Sequence, residues 1–168
     1  MSKNVLIGLG SNLDSPVDQI QKAINTLSLH KDIEFIKASS FYESQPQGPQ
    51  DQDRFINAVI LIQTELEPEA LLLLLQEIER QQGKVKVRHW GERCIDLDIL
   101  FMDQTTINRV NPELVIPHAH ALNRDFVLIP TLEITPEWRL PDQSQLKDYL
   151  SSCIKHDLKK LSITTKSA

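Results

Sequence analysis

Alternation of apolar and polar side chains marks four stretches of this chain as strands. Residues 4–9 form a short apolar run that ends in the turn cluster Gly10-Ser11-Asn12, and residues 33–41 and 55–64 alternate. Residues 93–101, RCIDLDILF, place Ile95, Leu97 and Ile99 at period two and extend the apolar run with Leu100 and Phe101. Two helical patterns lie between these strands. Ser15 is a capping residue before Pro16, and Val17, Ile20, Ala23, Ile24 and Leu27 share one face of the first helix. Pro68 opens the second, with Leu71, Leu74, Leu75 and Ile78 on its stripe and Gln82-Gly83 at its end. Gln76 and Glu79 fall off that stripe and read as a solvated face. Strand, helix, strand, strand, helix, strand is the βαββαβ order of a ferredoxin-like α+β sandwich. Beyond it, Asp103-Gln104 turns the chain, and residues 105–110 read as a hairpin partner of the last strand. Residues 117–126 read as short helix and loop, 143–154 as a last helix, and 164–168 as a frayed tail.

A chain of 168 residues, 40% hydrophobic, suits a single domain with one core. A formal net charge of −5, with acid and base interspersed, argues against a nucleic-acid surface. Only residues 84–93 are locally basic, which suits a phosphate-bearing small molecule better. Cys94 and Cys153 are too few and too far apart for a metal knuckle or a redox pair and read as reduced thiols of a cytoplasmic protein. The first apolar run is too short for a signal peptide, and the run 70–75 is too short to cross a bilayer. The expected partners are small molecules, with no nucleic acid or membrane, and the expected state is a monomer.

The candidate chemistry centres on Asp96 and Asp98. On a strand they project to the face opposite Ile95, Leu97 and Ile99, their Cα atoms about 6.5–7 Å apart. Two carboxylates so spaced reach one Mg²⁺ or share two ions. The alternative is an exposed strand edge bearing solvated aspartates. Asp is depleted in strands and costly within an apolar run, which favours the metal. Two polar segments accompany the pair. Residues 43–54, ESQPQGPQDQDR, hold no apolar residue, and a loop of that length is functional or a solvated connector. Residues 84–93, KVKVRHWGER, carry Lys84, Lys86, Arg88, Trp90 and Arg93. Trp90 before Gly91 is poor core material and reads either as a lid anchor or as a cover for the sheet edge. Gly8-Leu9-Gly10 resembles the start of a dinucleotide fingerprint, but Leu13 occupies the place of its third glycine. His118-Ala119-His120 is an H-x-H pair of the kind more often found on a surface than around a metal.

The motifs 10–13 (GSNL), 39–42 (SSFY), 48–52 (GPQDQ) and Phe55-x-Asn57 occur in order. They continue through Arg88-x-Trp90-Gly91-x-Arg93-x-x-Asp96-Leu97-Asp98-Ile99, Pro117-His118 and Asn123-Arg124-x-Phe126. On these residues the chain resembles the 6-hydroxymethyl-7,8-dihydropterin pyrophosphokinase family of folate biosynthesis. The resemblance implies transfer of diphosphate from ATP, the co-substrate, to the hydroxymethyl oxygen of the pterin, with AMP leaving. It implies that Asp96 and Asp98 hold two Mg²⁺ and that Lys84 and Arg93 bring mobile positive charge to the transferring group. Lys86, Arg88, Trp90, His118 and Arg124 would join Arg93 around ATP, with Gln76, Glu79 and Ile99 bordering the nucleotide. Phe55 and Phe126 would sandwich the pterin, Asn57 would meet its amide edge, and Ser44, Gln45 and Gln47 would complete the slot.

The chain departs from the family pattern at Gln45, where proline is usual, and at Gln47, where an apolar residue is usual. Phe55 replaces a common tyrosine, and Lys84 replaces an arginine and so loses a bidentate fork. Two other classes share parts of this pattern. A two-metal phosphohydrolase uses paired aspartates, and a pterin- or nucleotide-binding module uses the slot alone. The polar segments 43–54 and 84–93 are both expected to move, the second closing Arg93 and Trp90 over the site.

Overall fold

The structure is a computed structural model and describes residues 1–83 and 94–163. Lys84, Lys86, Arg88, Trp90 and Arg93, and the closing segment they were expected to form, lie outside the described residues, as does the tail from 164.

The described chain runs β1 (Lys3–Ser11), α1 (Pro16–Leu29), β2 (Ile33–Ala38), β3 (Tyr42–Ser44), β4 (Phe55–Thr64), α2 (Pro68–Gln81) and β5 (Asp96–Met102). It continues through β6 (Ile107–Val110), β7 (Glu113–Ile116), α3 (Asp125–Ile134) and β8 (Lys159–Lys160). The main sheet is ordered β5-β1-β4-β3-β8, with β2 also on β4. β2 and β3 thus act as one interrupted strand, and all pairings with β1 and β4 are antiparallel. This is the expected βαββαβ sandwich.

Period-two patterning divides the sheet into two faces. Val5, Ile7 and Leu9 of β1, Ala58, Ile60 and Ile62 of β4, and Leu97 and Ile99 of β5 turn toward α1 and α2. Ile20, Ala23, Ile24 and Leu27 of α1 and Leu71, Leu75 and Ile78 of α2 meet them, nearly all with no exposed surface. Each such Val, Leu or Ile side chain stabilises the fold by about 1.5–3 kcal/mol. The opposite face presents Leu6, Val59, Leu100 and Phe101 to Val127, Leu128 and Ile134 of α3 at one end. At the other end of that face the side chains are glycine, asparagine and aspartate, and there the sheet is left open.

Several local expectations change. Ser15 precedes α1 in the left-handed region, φ 62°, and makes no side-chain capping bond; Pro16 and Asp18 open the helix without it. Residues 105–110 do not extend the main sheet: Ile107 pairs with Ile116, and β6 and β7 close a separate hairpin around Asn111-Pro112. Residues 117–126 hold the expected short helix and loop, with a 3-10 turn at Ala121–Asn123, and α3 follows as a helix that the periodicity does not mark. It is apolar on nearly every side and interrupted by Pro130, so it shows no amphipathic period. The expected helix at 143–154 shrinks to one 3-10 turn, Leu146–Tyr149. Ser152, Cys153 and Lys155 side chains there donate to the Tyr149 and Leu150 carbonyls, taking the acceptors a longer helix would need.

Candidate active site

The open end of the sheet is a pocket of about 500 Å³, within the range of small-molecule sites. Its floor is made where β1 carries no side chain. Gly10 stands between Asn57 of β4 and Asp96 of β5, and Gly8 between Val59 and Asp98. The two glycines that resemble a dinucleotide fingerprint therefore clear a floor rather than cradle a phosphate turn.

Asp96 and Asp98 both line this pocket from β5, on the face away from Leu97 and Ile99. Glu79 fixes the strand between them from the other side. It is buried rather than solvated, and its carboxylate accepts the Leu97 backbone N–H at 2.7 Å. A helix-stripe reading missed this because Glu79 sits beside Ile78 at the margin of the apolar face. Gln76 is exposed on α2, and the Ile99 side chain lies in the core, so neither reaches the pocket.

Basic and imidazole groups face the acid pair from the segment after β7. The His118 backbone N–H donates to the Leu100 carbonyl at 2.9 Å, which pins this segment to β5 two residues beyond Asp98. Burial pushes the His118 imidazole down to about 4, helped by the charge of Arg124 and by His120. Its Nδ1 accepts the His120 backbone N–H at 3.2 Å, so the neutral ring carries its proton on Nε2. Burial pushes the Arg124 guanidinium down, while Asp98 and Asp96 pull it back up. Its Nε is buried with no hydrogen-bond partner among the described residues. The H-x-H pair is thus part of the pocket wall and not a separate surface feature.

The other end of the pocket is polar below and aromatic at the sides. Asn57 is 5% exposed, and its Nδ2 donates to Ser44 Oγ at 2.8 Å. That bond commits the nitrogen and leaves Oδ1 toward Gly10, where an added Cβ would lie 3.6 Å from it. Phe55, Phe126, Gln45 and Gln47 complete this end. Phe126 lies between two groups, the Arg124 guanidinium 5.5 Å from its centroid and the His156 ring at 5.0 Å.

The segment 45–54 is better anchored than its composition implies. Gln50 Nε2 donates to the Pro46 and Gly48 carbonyls, and Gln52 Nε2 to that of Pro49. Asn12 Nδ2 reaches across from just beyond β1 to Gln52 Oε1 and the Asp53 carbonyl, both at 2.9 Å. Side-chain amides replace the missing apolar anchors. A second network lies behind the slot: Glu133 of α3 accepts from Tyr42 at 2.7 Å and from the Ser40 hydroxyl at 2.8 Å. Burial opposes the charge on Glu133, but these bonds, with Lys160 nearby, hold its carboxyl below the usual range. Burial and the bond to Glu133 together push the Tyr42 phenol well up. Glu133 and His156 were both invisible in the sequence, since each lies in a segment with no readable period.

The pocket holds carboxylates, a guanidinium and an imidazole at one end, and aromatic rings with an amide at the other. This is the division of labour of an enzyme that moves a phosphate-bearing group onto a flat heterocyclic acceptor. The family model of 7,8-dihydro-6-hydroxymethylpterin-pyrophosphokinase (HPPK) matches residues 6–136. The 2-amino-4-hydroxy-6-hydroxymethyldihydropteridine pyrophosphokinase of Haemophilus influenzae is 43% identical over 92% of this chain and 96% of its own. That of Pseudomonas aeruginosa is 40% identical over 91% and 93%. A Plasmodium falciparum HPPK-DHPS triple mutant, solved with SDX-DHP, superposes with a TM-score of 0.77 at 14% identity and shares the fold. The match covers 97% of this chain and 46% of that longer one. The chain belongs to the 7,8-dihydro-6-hydroxymethylpterin-pyrophosphokinase family.

Proposed function

We propose that this protein transfers the terminal diphosphate of ATP to 6-hydroxymethyl-7,8-dihydropterin, a step of folate biosynthesis. The observation that carries the reading is the joining of the Asp96–Asp98 pair and the Asn57–Phe55–Phe126 slot in one pocket. The hydroxymethyl oxygen attacks the β-phosphorus, the bond between the β-phosphorus and the oxygen bridging to the α-phosphorus breaks, and AMP leaves with that oxygen. The hydroxyl proton passes to solvent. Transfer of this kind depends on placement and charge neutralisation more than on covalent help.

The donor set fits Mg²⁺. Asp96 and Asp98 offer hard oxygen ligands on one strand face, and among the described residues no cluster of three or more acidic, histidine or cysteine ligands surrounds them. Mg²⁺ takes one or two carboxylates and completes its shell with substrate phosphate and water. Bound there, two such ions would neutralise and align the triphosphate. Arg124 and the Nε2–H of His118 face the same phosphates, and Lys84 and Arg93 would add charge from the adjoining segment. Lys86, Arg88 and Trp90 would border ATP from the same side. β5 borders the sheet among the described residues, so a nucleotide lying across it would meet α2, near Gln76 and Glu79. Phe55 and Phe126 would stack on the bicycle, and Asn57 Oδ1 would accept from its amide edge, with Ser44, Gln45 and Gln47 around it.

We infer a single domain over residues 1–168 acting as a cytoplasmic monomer. Among the described residues no helix is long and apolar enough to cross a membrane. Incubation with ATP, Mg²⁺ and the reduced pterin tests the reaction. AMP should form in step with pterin diphosphate. ADP, or phosphate release without pterin, would replace the reading with a kinase or a phosphohydrolase, and binding without turnover would leave a binding module.

A further inference from the structure

His156 lies in the last part of the described chain, beyond the residues that the family model matches, yet it touches both walls of the pterin slot. Its carbonyl accepts the Gln45 backbone N–H at 2.9 Å on the β3 side. Its ring meets Phe126 on the α3 side, centroids 5.0 Å apart and planes inclined at 78°, the favoured edge-to-face arrangement. The imidazole is held in turn. Nδ1 lies 2.9 Å from Asp125 Oδ1 and 3.1 Å from the Ile154 carbonyl, and both of these are acceptors. Nδ1 therefore carries a hydrogen, and the ring cannot rotate without losing both contacts. The His156 backbone N–H donates to the other Asp125 oxygen at 2.8 Å, and His156 and Asp125 are 7% and 2% exposed. The neighbouring Asp157 accepts from Arg54, the residue before Phe55, through its carbonyl at 2.8 Å. One short segment thus braces the slot from three directions.

We propose that His156 is a positioning residue for the pterin. Its ring sets the angle of Phe126, and its main chain holds the Gln45 wall opposite. This rests on the functional reading above. The hydrogen bonds and ring contact of His156 go to Asp125, Ile154, Gln45 and Phe126, and it meets the phosphate end at second hand, through the Phe126 ring that the Arg124 guanidinium also covers. A histidine that merely stabilised the fold would affect both substrates alike, so the two sites separate the roles.

The test is calorimetry on the whole chain with two titrants: a non-hydrolysable ATP analogue alone, and 6-hydroxymethyl-7,8-dihydropterin in the presence of that analogue. Failure of the unaltered protein to bind pterin would overturn the functional reading itself. Given that binding, His156→Asn keeps a donor toward Asp125 but removes the ring. It should weaken pterin about tenfold, the worth of one aromatic pair with its burial. Its affinity for the analogue should stay within about twofold, and in turnover KM for pterin should rise with kcat retained. Asp125→Asn/His156→Phe returns an aromatic ring and removes the carboxylate that the imidazole had partnered. It should recover pterin affinity to within about threefold of the unaltered protein. Unchanged pterin affinity in His156→Asn, equal losses for both titrants, or no recovery in the aromatic variant would each overturn the proposal.

Discussion

Replacing Gly10 by alanine should separate the stability of this protein from its grip on the pterin. Gly10 pairs with Asn57 on one side and Asp96 on the other, so its α-carbon lies at the centre of the pocket floor. A Cβ there would lie 3.6 Å from Asn57 Oδ1, 3.9 Å from the Ile56 carbonyl and 3.9 Å from Phe55 Cδ1. These are ordinary contacts, and the backbone there is outside the left-handed region, so the methyl enters without clash or strain. Loss of glycine freedom in the unfolded chain should stabilise the fold by about 0.4–1 kcal/mol. The same methyl occupies space that a bicycle resting between Phe55 and Phe126 would need. Overpacking of that order costs about 1–3 kcal/mol, or about 5- to 150-fold in affinity. Urea denaturation reads the first effect and calorimetry with pterin reads the second. The midpoint should rise or hold while pterin affinity falls, and ATP-analogue affinity should change little. Gly8→Ala provides the contrast, because its Cβ would press on both Leu100 methyl carbons at 3.3 Å and should lower the midpoint. Normal pterin affinity in Gly10→Ala would show that the ligand does not lie over β1 and would refute the placement of the slot.

Asp96→Ala and Asp98→Ala should each lower turnover by at least about 100-fold with melting temperature held or raised, since each removes one of two adjacent negative charges. Near-normal activity of either at saturating Mg²⁺ would end the metal assignment. Asn57→Ala should weaken pterin by about 1–3 kcal/mol and spare ATP; equal losses would indicate damage to β3 and β4 instead. His118 titrates near 4 in the folded protein, below its ordinary unfolded value of about 6.5. As pH falls through that window the unfolded chain takes up a proton that the native ring refuses. Stability present above about pH 6.5 should therefore drain away toward pH 4, by up to about 3 kcal/mol. The loss should be smaller in His118→Asn, and an identical loss in both proteins would show that other groups control the slope.

The sandwich was legible because its strands and two helices each bury one face, and period follows burial. β4 matches its sequence-derived bounds, and the acid pair projects from β5 as period two requires. What escaped was the layer that closes the second face. α3 is buried nearly all round and so carries no moment, and the C-terminal segment is held by hydrogen bonds and a single buried histidine. The pocket followed the same division. Asp96, Asp98, Phe55 and Asn57 sit on strands whose alternation aims them. His156, Glu133 and the anchoring role of Asn12 depend on partners far along the chain, and no local pattern announces such pairs. Glu79 marks the boundary between the two cases: its residue type suggested solvent, and only the neighbouring Leu97 amide explains its burial.

The bracing of the slot by its last residues also sets an order of assembly. β1, β4 and β5 can pair as soon as Met102 has been synthesised, and the acid pair is then in place on the floor. Gln45, Arg54 and Phe126 must wait for residues 154–157, and β3 for its pairing with β8. Since synthesis proceeds at about 5–20 residues per second, this leaves an interval of seconds. During it, a nascent chain carries the acid pair and an unfinished pterin end. Ribosome-bound chains stopped before the strap emerges should therefore gain nucleotide contacts first and acceptor specificity last.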